Sequence, residues 1–115
     1  MIDHGAKPPI AAGEFEPWAR EISALAALPH VHCKLSGLLT EAGPGQDPEA
    51  LRPYVAHLVA AFGPARLMWG SDWPVLGLAG DYAGWLGLAR VYCGLADPED
   101  LAAVFGEVAR RFYRL

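Results

Sequence analysis

The chain has 115 residues, 53% hydrophobic and 19% charged, which excludes a disordered polymer and fits one domain, residues 1–115, with a modest core. Nine Lys and Arg stand against 13 Asp and Glu, and no basic cluster is interleaved with aromatics, so nucleic acid is not an expected partner. No uncharged apolar run reaches the roughly 18 residues that a membrane span needs, and no basic-then-apolar leader opens the chain, so a cytoplasmic protein with no membrane partner is expected.

In chain order, Met1 to Asp3 reads as the stub of a strand, ended by a His4-Gly5 turn. Trp18, Ile22, Leu25 and Leu28 recur at spacings of three and four and predict a helix over Glu14 to Leu28, with Pro29 as the stop. His30 to Leu35 (HVHCKL) predicts a second strand, followed by a Ser36-Gly37 turn and the loop EAGPGQDP. A helix marked by Leu51, Val55, Leu58 and Phe62 comes next, with Pro53 in its first turn or kinking it.

Arg66 to Gly70 (RLMWG) predicts a third strand, apolar as a parallel strand buried on both faces should be. Asp81 to Gly94 predicts a helix, and a last helix starts at Asp97 as N-cap, with Pro98 at its first position and Glu99 and Asp100 against the helix dipole. Strands alternating with helices imply right-handed βαβ crossovers, a parallel sheet and an α/β fold. Cys33 and Cys93 lack any CxxC spacing and are expected to be reduced core residues.

In parallel α/β folds, functional groups gather beyond the carboxyl ends of strands, and His4, Ser36 and Asp72 all occupy that place. They could share one site. Asp72, in the stretch MWGSDWPV, is either a metal ligand or general base, or a turn cap that binds nearby backbone N–H groups. His4 is either a functional imidazole or a hydrogen-bonded turn residue, and Lys7 either holds a substrate carboxylate or is a solvated surface lysine. Lys34, inside a strand, points to a barrel interior or to a paired carboxylate; His30, His32 and His57 are expected to be structural.

The stretches IDHGAKP (Ile2 to Pro8), VHCKLSGL (Val31 to Leu38), LRPYVAHLVAAFGPARLMWGSDWPV (Leu51 to Val75) and FGEVARRFYRL (Phe105 to Leu115) together resemble the amidohydrolase-related family. The likeness is to its metal-independent or weakly metal-dependent lactonase branch, which includes 2-pyrone-4,6-dicarboxylate lactonase and L-fuconolactonase-like enzymes. The resemblance implies that the chain is the C-terminal section, about three βα units, of a (β/α)8 TIM-type barrel. It implies hydrolysis of a lactone or similar small carboxylated substrate, with a decarboxylase of the same superfamily as the rival and a non-catalytic truncated or split barrel as the alternative from another class.

In that family Asp72 looks like the aspartate that ends the eighth strand and activates water or binds metal, and His4 like the histidine that ends the sixth. Lys7, Ser36 and Trp73 are the candidate substrate contacts. The implied cofactor is one divalent metal, zinc or manganese, held by Asp72 and His4, or none. The chain departs from the family in two places: no strand-end His-x-His pair is present, and Val108 stands where an asparagine is usual. An Ile-Asp-His directly after Met1 looks like the middle of a strand, so an N-terminal half is expected to be missing. Pairing with that half, or homo-oligomerisation, is the expected way to cover the open sheet edges, and the chain alone is expected to show no lactone turnover.

Overall fold

The structure, a computed structural model, describes residues 1–115. Its helices are α1 (Trp18–Ala26), α2 (Leu38–Ala42), α3 (Arg52–Phe62), α4 (Tyr82–Cys93), α5 (Pro98–Ala102) and α6 (Val108–Phe112), and its strands are β1 (Cys33–Leu35) and β2 (Leu67–Trp69). β1 and β2 pair in parallel with Cys33 opposite Leu67, Lys34 opposite Met68 and Leu35 opposite Trp69. Ile2 adds a one-residue parallel bridge to Cys33, so the expected first strand is present as a single rung on the outer side of β1. Both β1 and β2 are followed by helices, which makes the fold α/β with a small parallel sheet.

One apolar cluster holds the layers together. Cys33, Leu35 and Leu67 turn one face of the sheet toward Val55, Leu58 and Phe62 of α3, with Ile22 of α1 and Trp85 of α4 in the same cluster. α3 is amphipathic as its spacing predicts, and Pro53 lies in its first turn, where the missing N–H removes no helical bond. Asp81 caps α4 by accepting from the Gly84 N–H at 2.7 Å, and Gly94 closes it in the left-handed conformation. Asp97 caps α5 through the Glu99 N–H, with Pro98 at the first position as expected.

Three expectations need correction in their bounds. The first helix begins at Trp18 rather than Glu14, because Pro17 has no N–H to donate and restricts the residue before it. The second strand is reduced to Cys33–Leu35, because Leu28 to Val31 form a turn whose Leu28 and Val31 carbonyls, with that of Ala26, accept from the Arg66 guanidinium. The last helix is interrupted at Ala103–Glu107 by a wider turn in which Phe105 leaves helical geometry and sets its ring 6.0 Å from that of Trp69. Val108, in place of the asparagine, is buried at the start of α6.

Several side chains fall where the sequence puts them. Cys33 and Cys93 are both free and buried. His57 Nε2–H donates to Ala19 O (2.8 Å) and lies 3.1 Å from Ser23 Oγ, tying α3 to α1, which is a structural role. Lys34 meets a carboxylate, that of Asp3 at 3.2 Å, while its ammonium also lies over the Tyr113 ring. The Tyr113 hydroxyl, ahead of Asp3 and against opposing desolvation, holds the Lys34 ammonium above its ordinary value.

Candidate functional site

The ends of the Ile2 rung, β1 and β2 deliver His4, Ser36 and Asp72 to one place. His4 Nδ1 and Ser36 Oγ share a hydrogen bond of 2.8 Å, and His4 Nε2 stands 3.6 Å from Asp72 Oδ1. Ser36 is the single buried polar residue of the chain. Its bond to Nδ1 fixes the plane of the imidazole and leaves Nε2 directed at the carboxylate. A separation of 3.6 Å is too long for a direct hydrogen bond, and it suits two groups that share a third atom between them.

The backbone is strained at these positions. His4, Ala6 and Lys7 have φ of 53°, 62° and 52°, and Asp72 has φ of 60°, all in the left-handed region that costs a non-glycine residue roughly 1–2 kcal/mol. Such outliers persist only where the surroundings over-determine them, and they cluster at functional sites. Here the surroundings include two tryptophans. The Trp18 indole N–H donates to Gly5 O at 2.7 Å, pinning the loop that carries His4, and the Trp85 indole N–H donates to Gly70 O at 2.9 Å, pinning the end of β2 two residues before Asp72. The Leu76 N–H donates to Asp72 O at 2.8 Å and closes the turn beyond it.

Two hollows adjoin the pair. One, of about 130 Å³, is lined by His4, Lys7, Gly37, Thr40, Glu41, Asp72 and Val75. The other, of about 250 Å³, lies along the sheet and includes Lys34, Ser36, Met68 and Tyr113 beside His4 and Asp72. A larger hollow of about 410 Å³ sits beside Pro64 and Ala65, before β2 begins, and shares no residue with the pair. Size therefore does not mark the site; the convergence of strand ends does.

Of the residues singled out in the sequence, His4, Ser36 and Asp72 converge, and Lys7 lines the smaller hollow with Nζ 3.9 Å from Glu41 Oε1. Trp73 does not join them: its side chain is 77% exposed and lines neither hollow, because the turn after Asp72 swings it outward. Sequence reasoning missed Gly37, Thr40 and Glu41. The last two ride on α2, which takes in Glu41 and Ala42, the first two residues of the expected loop EAGPGQDP, because Leu38 and Ala42 at a spacing of four are both buried.

The family profile described as amidohydrolase matches residues 1–115. The chain belongs to the amidohydrolase family. It is 52% identical over 119 residues to an L-fucono-1,5-lactonase of Burkholderia ambifaria, which covers 100% of the chain and 41% of that protein. An L-fucono-1,5-lactonase of Burkholderia multivorans is 36% identical over 126 residues, covering 100% of the chain and 43% of that protein. The crystal structure of an amidohydrolase from Burkholderia multivorans superposes with a TM-score of 0.90 at 37% identity, over 99% of this chain and 44% of that one. A second crystal form of it, with bound zinc, gives 0.88 at 39% identity over 98% and 43%. The chain thus spans about two fifths of the length of the curated relatives it matches.

Zinc is bound in that relative. Two ligands of a tetrahedral zinc with bonds near 2.0 Å lie about 3.3 Å apart. His4 Nε2 and Asp72 Oδ1, at 3.6 Å, match that spacing, and the Ser36 bond to Nδ1 is the outer partner that a metal-bound histidine has. No third His, Cys, Asp or Glu of these residues joins them. The donor set fits a metal in these two members.

Proposed function

We propose that these residues form the C-terminal three βα units of a (β/α)8 barrel, and that the barrel hydrolyses a small lactone. The observation that carries the proposal is the His4 and Asp72 pair, held at strand ends in strained conformations with a gap sized for one shared atom. The lactonase relatives and the zinc-bearing neighbour support it. They lend nothing to the decarboxylase rival.

In the proposed reaction the attacking water sits between the pair. An Asp72 oxygen takes its proton as the water oxygen bonds to the lactone carbonyl carbon. His4, oriented by Ser36, donates from Nε2 toward the developing oxyanion. The ring C–O bond then breaks and the ring oxygen leaves as a hydroxyl, taking the proton back from Asp72 and giving a hydroxy acid. A divalent metal held by His4 and Asp72, zinc or manganese, would supply Lewis-acid polarisation and a more acidic water.

Completion is part of the proposal. β2 has one neighbour and the sheet ends there, so further strands, in the same or in a second polypeptide, would cover that edge and bring the remaining donors. Substituting Asp72→Asn in the completed barrel should abolish lactone opening while the fold is retained. Unchanged turnover in that variant would refute the assignment.

A further inference from the structure

The hollow over the pair has an unusual charge arrangement. Lys7 and Glu41 face each other across its rim, Nζ to Oε1 3.9 Å, with the lysine side chain 68% exposed and the glutamate 28% exposed. The more firmly seated of the two is the acceptor. Asp72 lines the same hollow, so two carboxylates stand against one lysine, and that lysine already has a partner. A ligand carboxylate entering here would meet two like charges at short range, partly desolvated. A ring hydroxyl would meet acceptors it can donate to, and hydrogen bonds to a charged carboxylate are the stronger kind.

Thr40 precedes Glu41 on α2 and lines the hollow as well. Its Oγ1 is buried with no protein partner, an unpaired state that a hydroxyl-bearing ligand would relieve after a turn about χ1. All but one of the residues around the hollow are polar or glycine.

We propose that Glu41, with Lys7 as its partner, is a specificity-determining residue that selects an uncharged, hydroxyl-bearing lactone ring and rejects a ring with a carboxylate on that side. The inference rests on the lactone reading of the site and revises the expectation that Lys7 holds a substrate carboxylate. Lys7 instead pairs loosely with the Glu41 carboxylate, Nζ to Oε1 3.9 Å, which lines the hollow where ring hydroxyls reach it.

Binding of non-hydrolysable analogues to the full 115-residue chain tests this apart from turnover. The probes are a 1,5-anhydrohexitol and the same ring oxidised to a carboxylate at its exocyclic carbon, each titrated while backbone amide shifts are followed. The neutral ring should bind at least roughly tenfold more tightly, a difference of about 1.4 kcal/mol, with shifts centred on Lys7, Thr40 and Glu41. Glu41→Gln should erase the preference, and Lys7→Met should widen it by removing the one cation. Equal or tighter binding of the carboxylate, binding of neither probe, or a preference that survives Glu41→Gln would overturn the proposal. A chain that binds as expected, in a barrel that opens no lactone, would contradict the reaction and leave the selectivity standing.

Discussion

Gly37 stands against His4 with no room for a side chain between them. A Cβ at Gly37 would lie 2.8 Å from His4 Nδ1 and 2.9 Å from its Cγ, and the glycine has φ of +71°. The turn after β1 therefore buttresses the imidazole from behind, while Ser36, the residue before it, holds the ring by hydrogen bond.

Gly37→Ala combines left-handed strain of roughly 1–2 kcal/mol with displacement of the ring. In a completed barrel it should lower turnover on the order of 100-fold, since misplacing a catalytic group by about 1 Å has that effect. The urea midpoint measured beside kcat separates the two: a fall in stability with kcat unchanged would show that the contact is packing alone.

Ser36→Ala removes the bond that orients His4 and little else. A positioning role predicts a drop in kcat of roughly 10–100-fold with KM nearly unchanged. Partial recovery by Ser36→Thr, which restores a hydroxyl, is expected if the hydrogen bond is what matters. Equal rates for the alanine and wild-type proteins would remove Ser36 from the site.

How much of this was legible in the sequence follows from what kind of signal each part leaves. The helices at α3 and α4 announce themselves through apolar spacing, Pro53 and the Asp81 and Gly94 caps, all local features. The convergence of His4, Ser36 and Asp72 also follows from the pattern, because strand ends in a parallel sheet share one rim. What did not show was the strain and its compensation. The Trp18 bond to Gly5 and the Trp85 bond to Gly70 join residues 13 and 15 positions apart, and an aromatic in an amphipathic helix reads as core whether or not its N–H is used. The outward swing of Trp73 is likewise a matter of the turn that follows β2.

Those two indoles make a paired prediction. Trp18→Phe and Trp85→Phe keep most of the buried ring and delete one hydrogen bond each, at a cost of about 1 kcal/mol apiece. Trp18→Phe should loosen the His4 loop and Trp85→Phe the approach to Asp72, so turnover should fall further than that stability loss alone explains. Amide exchange at Lys7, whose N–H donates to His4 O, and at Gly70, whose N–H donates to Leu35 O, provides the check: protection should drop locally in the matching variant and not in the other.

The thiols give the pH dependence. Burial pushes the Cys33 thiol up to about 12 and the Cys93 thiol up to about 11, from 9.0. Between those values the folded chain keeps protons that the unfolded chain has released, so stability falls as pH rises through that window and is unaffected by these groups below about pH 9. Tm should therefore decline from pH 9 to 11, less steeply in Cys33→Ala after correction for its neutral-pH loss. Alkylation at pH 8 should be slow in the folded chain and fast in denaturant; rapid labelling of the native protein would contradict the burial.

The proposed hydrolytic centre of His4 and Asp72 works only when the barrel is whole. Its most direct test places this chain in the Burkholderia ambifaria lactonase in exchange for the 119-residue segment it matches, and measures opening of L-fucono-1,5-lactone by the chimera and by its Asp72→Asn variant. Circular dichroism and gel filtration would establish that both are folded. Turnover is expected in the chimera, and its loss, by three orders of magnitude or more as when a principal catalytic group is removed, in Asp72→Asn. A folded chimera that opens no lactone, or one that opens it equally well without the Asp72 carboxylate, would contradict it.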